Sequence, residues 1–375
     1  MKKVIINFSK LKKGGGQNVA LNFLHGVNHY KKAELVFFVA KNSEAHNYLK
    51  NTGGWDYHVF PNNPIFCAIY ELAFSFSNLK KINPDVIYTY FGYSLFYFSS
   101  VPQVTGSADS NLYFPEIDFW KDESFLRRCA KFLIDKYRIF GLKKSTAVIF
   151  ENLELMNRAQ YLYGLKKVYY IKPSIVKHIR ADSSSVALSL REPSAINLLL
   201  LCGWQRNKGI LIIPYLLKLA SNENIPFNVI LTAGEPRCSV GREFVDLVKR
   251  LGVDEYVNIV QPVSKAALPS VYNSVDAVLL LSKLESFSNN IIEAWAYKVP
   301  LIVADESWSR SICGEAAVYA NRDNSQDIFD KIMLIQNNQE YRSKVISCGC
   351  DHLASYPSIN QRINEELDYV LQLSQ

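Results

Sequence analysis

The fold of this chain is decided by Glu285-Ser-Phe-Ser-Asn-Asn-Ile-Ile-Glu293 and the apolar segments on either side of it, Ala277-Val-Leu-Leu-Leu281 and Leu301-Ile-Val-Ala304. The two apolar segments are short and continuous, which is the pattern of strands buried in a parallel sheet. The segment between them predicts a loop and then a helix that ends before Pro300. Together they form one βαβ unit, and its loop lies where open α/β sheets bind their ligands.

The loop-to-helix junction of this unit has the side chains of a nucleotide-sugar site. Ser288, Asn289 and Asn290 favour a helix N-cap, where free backbone N–H groups and the helix dipole attract a phosphate or diphosphate. Glu285 on the loop and Glu293 about one turn into the helix would be repelled by that phosphate. They would instead accept hydrogen bonds from sugar and ribose hydroxyls. Alternatively both are solvated surface charges, but the strand-loop-helix context favours a ligand site.

This segment resembles the E-x7-E motif of the retaining family-4 glycosyltransferases, and in particular those of bacterial surface-polysaccharide synthesis. Other stretches resemble the family in the expected order: residues 1–8, 14–17, 83–87 and 198–209, and A-W-A-x-x-V-P ending at Pro300. The resemblance therefore covers nearly the whole chain. It implies the GT-B fold, an α/β architecture of two Rossmann-like domains whose parallel sheets face each other across a cleft.

Two domains are also expected from the length of 375 residues. We place an N-terminal, acceptor-side domain at residues 1–180 and a C-terminal, nucleotide-sugar-binding domain at residues 186–357. The polar stretch 177–193 is the predicted linker, and the resemblance implies that a last helix, 359–375, crosses back onto the first domain. Apolar segments alternate with helical stretches, which predicts parallel α/β sheets. The candidate strands are residues 4–8, 35–39, 57–60, 86–90, 147–150, 196–201, 227–231, 257–259, 277–281 and 301–304.

The seven cysteines are scattered and mostly within apolar runs, which favours reduced thiols in a cytoplasmic protein over a disulfide framework. Cys348 and Cys350 are the only close pair of cysteines. No second cysteine or histidine pair lies near them in the sequence, so we do not predict a metal site there. GT-B enzymes generally need no metal, and no D-x-D sequence is present, so we expect neither a metal nor another cofactor. The apolar run after Met1 is too short for a signal peptide, and stretches 65–76 and 91–98 are too short to span a membrane.

Charge divides the chain into two unlike halves. Residues 1–180 carry a net charge of +12, and the remainder carries −5, which suggests that the first half faces an anionic partner. The stretch 124–140 predicts a basic amphipathic helix that suits an anionic membrane surface. Alternatively this helix is solvated and packs on its own domain through Phe125, Leu133 and Ile134. A nucleic-acid partner is disfavoured, because no helix-turn-helix, RRM or zinc-finger pattern is present.

Glycines follow the first predicted strand. Gly15 and Gly16, with Gly14 before them, permit positive φ and a close approach of the backbone to a ligand. An ordinary flexible turn is the alternative. The family resemblance implies that this loop borders the donor phosphates. The loop has no G-x-G-x-x-G spacing, so it is not a dinucleotide-binding fingerprint.

Basic residues follow the strand that opens the second domain. Arg206 and Lys208, after Gly203, would neutralise a diphosphate leaving group. In the family an arginine directly follows the glycine, whereas this chain has Trp204 there, so Arg206 is the candidate to supply the guanidinium. Val263 belongs to a stretch that resembles the family segment lining the nucleobase pocket.

The acceptor side departs from the family pattern. Many members carry a histidine in a V-x-x-H-D stretch, which corresponds here to residues 104–109, with Ala108 in place of the histidine and Asp109 retained. Either groups such as Asp109 or Ser107 position the acceptor, or the correspondence lies elsewhere. The resemblance implies that the donor diphosphate helps to deprotonate the acceptor, so the missing histidine does not exclude activity.

The sequence therefore predicts a retaining glycosyltransferase with Glu285, Lys208, Arg206 and Asp109 in its active site. It would move a sugar from a nucleoside-diphosphate sugar to an anionic lipid-linked or saccharide acceptor in bacterial envelope polysaccharide synthesis, such as that of lipopolysaccharide or O-antigen. We expect it in the cytoplasm, peripherally bound at the inner face of the plasma membrane. Two alternatives stay open: a GT-B nucleotide-sugar epimerase, and a catalytically silent nucleotide-binding subunit of a polysaccharide-assembly complex.

Overall fold

The computed structural model describes residues 1–12, 15–92, 94–120, 123–174 and 195–374. The chain divides into two compact units. The first unit comprises Met1–Val176 and Pro357–Gln375, and the second comprises Lys177–Tyr356. The predicted linker 177–193 and Gly14 lie outside the described residues.

A parallel sheet forms the centre of the first unit. Its strands are β1 Lys2–Phe8, β2 Ala33–Ala40, β3 Asp56–Phe60, β4 Val86–Thr89, β5 Gln103–Ser107, β6 Ala147–Phe150 and β7 Val168–Tyr170. Their order in the sheet is β3-β2-β1-β4-β5-β6-β7. Val4 and Ile6 enter one core cluster and Ile5 enters another, because successive side chains of a strand point to opposite faces. The sheet therefore lies between two apolar layers.

A second parallel sheet forms the centre of the second unit. Its strands are β8 Ile196–Leu200, β9 Phe227–Leu231, β10 Val257–Ile259, β11 Ala277–Leu280, β12 Leu301–Ala304 and β13 Val318–Ala320. Their order is β10-β9-β8-β11-β12-β13. Leu198, Val229 and Leu279 are buried within one core cluster, as the continuous apolar runs of the sequence require.

Helices connect the strands of both units. They are α1 Gly15–Gly26, α2 Glu44–Thr52, α3 Pro64–Phe76, α4 Asn78–Ile82, α5 Phe125–Lys144, α6 Leu153–Tyr163, α7 Ile213–Asn222, α8 Ser239–Leu251, α9 Leu268–Asn273, α10 Asn289–Ala296, α11 Ser307–Cys313, α12 Ser325–Asn337, α13 Gln339–Ala354 and α14 Ile359–Gln372. Local sequence sets several of their ends. The Asn63 and Asn152 side chains cap α3 and α6, and Gly164 ends α6 in the left-handed conformation.

Each sheet has one point at which the order of its strands reverses. In the second unit the chain adds β9 and β10 on one side of β8 and then returns to add β11 on the other side. The first unit does the same around β1, with β4 on the far side. The loops that leave two such neighbouring strands diverge, which opens a crevice at the carboxyl ends of the strands.

The last helix, α14, is held in the first unit by shape and charge. A Cβ at Gly26 would lie 2.4 Å from Ile359 Cγ2 and 2.6 Å from Ile363 Cδ1, so only glycine lets α1 and α14 approach this closely. The buried Arg362 guanidinium pairs with Glu151 at 2.5 Å. A buried charge of this kind is tolerated because it is paired.

The α/β fold class predicted from the sequence is confirmed. Each of the ten predicted strands coincides with an observed strand to within two residues, and the described residues contain three more, β5, β7 and β13. The predicted basic helix is α5. The alternative in which it packs through Phe125, Leu133 and Ile134 is wrong, because these residues are 79%, 66% and 38% exposed. No helix in the described ranges is long and apolar enough to cross a membrane.

Candidate functional site

An ion pair occupies the crevice side of the second sheet. Lys208 Nζ contacts Glu285 Oε1. Lys208 follows β8 and Glu285 follows β11, the two strands between which the strand order reverses. Their side chains are 21% and 16% exposed, so the pair is largely shielded from water yet open to a ligand. The structure thus brings together two predicted site residues that are 77 positions apart in the sequence.

Asn207 forms hydrogen bonds between the loops that carry Lys208 and Glu285. Its side-chain amide donates to Leu284 O at 3.0 Å, and its carbonyl accepts from Lys283 N at 2.8 Å. Arg322 Nη1 donates to the same carbonyl at 2.9 Å. The first two bonds hold the loop after β8 against the loop after β11, and the third ties the same loop to the segment after β13. Lys208 and Glu285 are therefore positioned by backbone contacts as well as by their own attraction.

Gly209 lets the two loops come this close. Its φ of +69° is a conformation that favours glycine, and a Cβ there would lie 2.5 Å from the carbonyl oxygen of Leu281. The close approach places the residue after Lys208 directly on the end of β11.

The N-terminus of α10 lies on the same edge of the sheet. Ser288 is its N-cap residue, and the Ser288 side chain makes no capping hydrogen bond. That side chain therefore does not compete with a ligand for the N–H groups of the first turn, which begins at Asn289. Asn290 Nδ2 donates to Leu201 O at 2.8 Å and so ties the helix to the end of β8. The junction has the geometry of an anion site beside the Lys208–Glu285 pair.

Glu293 lies further along α10 and has a partner that the sequence did not reveal. Tyr272 OH, at the end of a buried side chain, donates to Glu293 Oε2 at 2.8 Å. Burial raises the pKa of Glu293, and the hydrogen bond from Tyr272 and the charge of Lys265 oppose that rise. Tyr297 stacks on Tyr272 at 4.8 Å between ring centroids. A half-buried carboxylate oriented in this way is suited to accept hydrogen bonds from hydroxyl groups.

Cys202 lies within the electrostatic reach of the same ion pair. Burial raises the pKa of its thiol to about 12, while Lys208 lowers it and Glu285 raises it. Burial therefore disfavours the thiolate, which is the nucleophilic form of cysteine.

Arg206 and Trp204, on the loop after β8, contact neighbouring elements of the second unit. The Arg206 guanidinium pairs with Glu243 on α8, with Nη1 3.3 Å from Oε1, and both side chains are exposed. Trp204, which stands where the family has an arginine, donates from Nε1 to Gly234 O at 3.0 Å and packs against Phe244. Trp204 thus anchors the loop after β8 to the turn after β9.

The remaining predicted donor residues lie on two loops of the second unit and on a helix of the first. Gly203 is exposed, and Val263 is half-buried on the loop after β10. Gly15 and Gly16 form the first turn of α1 in the first unit. At Gly16 a Cβ would lie 3.1 Å from a methyl group of Leu11, so this turn has little room for a side chain.

Asp109, the predicted acceptor-side residue, follows β5 in the first unit. Its carboxylate lies 3.4 Å from the Arg138 guanidinium. Burial raises the pKa of Asp109, Arg138 lowers it and Asp135 raises it. Next to this residue, the Ser107 hydroxyl is hydrogen-bonded to the hydroxyl of the buried Tyr113.

Sequence reasoning missed Tyr272 and Asn207 as parts of this site. Tyr272 is 21 positions before its partner Glu293, and no motif joins the two. The only sequence signal for Asn207 was its position between Arg206 and Lys208. Among the described residues, no group of three or more His, Cys, Asp or Glu side chains could hold a metal ion.

Residues 215–349, which carry α10 and the two glutamates, match the family model described as Glycosyl transferases group 1. The matched residues lie within the second unit. No curated protein matches the sequence.

Solved glycosyltransferase structures match the chain over its whole length. Sucrose-phosphate synthase from Thermosynechococcus elongatus has a TM-score of 0.74 at 15% identity, covering 100% of this chain and 99% of that chain. Anabaena HepE in complex with UDP and glucose has a TM-score of 0.69 at 15% identity, covering 98% and 100%. WaaG, a glycosyltransferase involved in lipopolysaccharide biosynthesis, has a TM-score of 0.66 at 12% identity, covering 98% and 99%. At these identities the similarity establishes the fold, which is that of GT-B glycosyltransferases.

Proposed function

We propose that this protein is a retaining glycosyltransferase that uses a nucleoside-diphosphate sugar as donor. The observation that carries the proposal is the Lys208–Glu285 ion pair at the strand-order reversal of the second sheet, next to the N-terminus of α10. A cation and free helix N–H groups suit a diphosphate. The group 1 family match and the HepE structures, which contain UDP, glucose or UDP-glucose, support the same class of donor.

Each part of the donor has a candidate partner. The diphosphate would lie at the amides of residues 288–290, with Lys208 as its main cation. Glu285 would accept hydrogen bonds from the sugar hydroxyls, and Glu293, oriented by Tyr272, from the ribose. Arg206 would join the phosphates only by leaving Glu243, so we give it the secondary role.

The proposed chemistry needs no protein base. The bond between the sugar's anomeric carbon and the phosphate oxygen breaks, and the acceptor oxygen bonds to that carbon on the same face. The acceptor's proton passes to the departing phosphate oxygen, whose negative charge Lys208 and the helix amides stabilise. This route agrees with Ala108 in place of a histidine and with the pairing of Asp109 to Arg138.

The test of the donor site is calorimetric binding of a panel of nucleoside diphosphates and nucleotide sugars. We expect one nucleotide to bind selectively, and Lys208→Met to weaken its binding by about tenfold or more, since a hydrogen bond to a charged group is worth roughly 1.5–3 kcal/mol. Lys218→Met, which removes an exposed lysine of α7, is the matched control and should bind as the wild type does. Equal weakening in both variants, or no binding by any nucleotide, would contradict the proposal.

Turnover distinguishes the alternatives. With donor and acceptor present, we expect a product whose anomeric configuration, read by NMR, is that of the donor. Conversion of the donor sugar without an acceptor would identify an epimerase instead. Selective nucleotide binding without any turnover would identify a silent subunit.

We further propose that the acceptor is lipid-linked and is reached at an anionic membrane surface, as in bacterial envelope polysaccharide synthesis. Helix α5 supports this, because Phe125, Leu126 and Phe132 are 79%, 79% and 60% exposed on a helix that also carries six Lys and Arg residues besides Arg138. Exposed apolar side chains flanked by basic ones suit a membrane interface. The involvement of WaaG in lipopolysaccharide biosynthesis agrees with this acceptor class.

Vesicle flotation tests the membrane step. The protein should float with vesicles that contain anionic phospholipid and not with neutral ones, and a Phe125→Ser, Phe132→Ser double variant should lose this binding. Tyr161→Ser removes a residue that is 89% exposed on α6 and should change nothing. Equal binding by the double variant and the control variant would exclude α5 as the contact.

A further inference from the structure

A polar cavity of about 360 Å³ lies in the first unit, at the edge of the sheet where its strands begin. Gln103 is the first residue of β5, Thr146 precedes β6, and Lys167 precedes β7. Lys144, the last residue of α5, and Gln372 of α14 complete the wall. The cavity lies within one unit and is separate from the candidate donor site of the second unit.

The charge of the wall is positive. Lys144 and Lys167 both line the cavity, and the lining residues that the structure describes include no aspartate or glutamate. The carboxyl ends of α5 and α14 each contribute a partial charge of about −0.5, and two ammonium groups exceed their sum. The cavity therefore favours an anion.

One hydrogen-bond donor in the wall is buried and has no partner among the described residues. Gln103 is 3% exposed, and its Oε1 accepts from Ser94 Oγ at 3.1 Å. The other end of the amide, Nε2, has no hydrogen-bond partner. Buried polar groups are nearly always satisfied, so an unpaired donor beside a cavity indicates that something else supplies the acceptor.

We propose that this cavity binds a phosphate group. Two ammonium groups and an amide N–H₂ provide charge-assisted and neutral donors for the phosphate oxygens, and the volume also accommodates a small moiety attached to the phosphate. A free phosphate ester and an anionic phospholipid headgroup share this chemistry. The position of Lys144 at the end of the exposed helix α5 makes both accessible.

The experiment compares two double variants with the same loss of charge. Lys144→Gln with Lys167→Gln removes the two lysines of the cavity. Lys143→Gln with Lys166→Gln removes their immediate, exposed neighbours, which do not line it. Calorimetry with inorganic phosphate and glycerol phosphate, each over a range of salt concentrations, and flotation with vesicles containing phosphatidylglycerol provide the readouts. Melting temperatures confirm that both variants are folded.

We expect saturable binding of either the soluble phosphates or the anionic vesicles, weakened on the order of tenfold or more in the cavity variant. In the neighbour variant the binding of soluble phosphates should be unchanged, and the binding of vesicles should fall much less than in the cavity variant, because Lys143 belongs to the basic residues of α5. Binding of the soluble phosphates identifies a free ester as ligand, and binding of the vesicles alone identifies a headgroup. A Gln103→Glu variant should also lose binding, because a carboxylate in place of the amide repels the phosphate. Equal losses in the two double variants would show only general attraction to a basic surface and would overturn the proposal, as would no binding to either probe.

Discussion

Gly209→Ala should destabilise the second unit and weaken donor binding. A φ of +69° costs an alanine about 1 kcal/mol. The added Cβ would also lie 2.5 Å from Leu281 O and 2.8 Å from Leu281 Cβ, and relief of such overpacking costs about 1–3 kcal/mol. The sum is a loss of about 2–4 kcal/mol in the free energy of unfolding. Because Leu281 directly follows β11 on the segment that leads to Glu285, the backbone shift that relieves the overlap should also move Glu285 away from Lys208.

The control is Gly252→Ala in the same unit. Gly252 has a φ of +64°, and no described heavy atom lies within 4 Å of a Cβ there, so this variant pays only the backbone cost of about 1 kcal/mol. Urea unfolding followed by tryptophan fluorescence gives both stabilities, and calorimetry gives both nucleotide affinities. Only the Gly209 variant should lose affinity. If the two variants lose equal stability and bind nucleotide equally well, the close contact with β11 does not hold the site together.

Three further changes test the site and the fold. In Glu285→Gln, Lys208 loses its charged partner, so the affinity for a nucleoside diphosphate should stay the same or rise while that for the nucleotide sugar falls. Calorimetry with both ligands measures this divergence, which parallel losses would contradict. In Tyr272→Phe, Glu293 loses a hydrogen bond that stabilises its charged form, so its pKa, already raised by burial, should rise further. The folded protein gains relative stability as pH falls through that raised pKa, whereas ribose recognition by the carboxylate is lost over the same range. Nucleotide affinity should therefore fall at a higher pH in the variant than in the wild type, and identical pH profiles would exclude Glu293 as the ribose ligand. In Gly26→Ala the new methyl group would collide with two isoleucine side chains of α14, so the free energy of unfolding should fall by about 1–3 kcal/mol and α14 should become sensitive to protease. An alanine variant as stable as the wild type would contradict the close packing of α1 on α14.

The apolar strands could be predicted because burial on both faces requires continuous runs of apolar residues. β5 was not predicted in this way. Its sequence, Gln103-Val-Thr-Gly-Ser107, is largely polar, yet all five residues are buried. The Thr105 and Ser107 side chains are hydrogen-bonded inside the unit, to Ser145 and Tyr113. Hydropathy patterns report polarity, and a polar side chain whose hydrogen bonds are satisfied can be buried at little cost.

The site could be predicted only where a residue follows a strand. Lys208 and Glu285 each follow an apolar run, so their place at a carboxyl edge was readable from the sequence. The sequence did not show that β8 and β11 are neighbours, because strand order depends on the tertiary structure. The role of Arg206 depends on Glu243, which is on a helix more than thirty residues later, and no local pattern joins them.

The Lys208–Glu285 pair gives one physical reason why both residues occur at this crevice. The two side chains are only 21% and 16% exposed, so each charge would be poorly solvated without a partner. In the absence of a donor, each charge neutralises the other. A diphosphate at the helix N-terminus would compete for the ammonium group, and the carboxylate oxygen released by that exchange would then be free for the sugar hydroxyls. The same contact that stabilises the empty site would therefore couple recognition of the phosphates to recognition of the sugar. A nucleoside diphosphate would break the pair without replacing the lost partner of Glu285, whereas the intact nucleotide sugar would satisfy both charges.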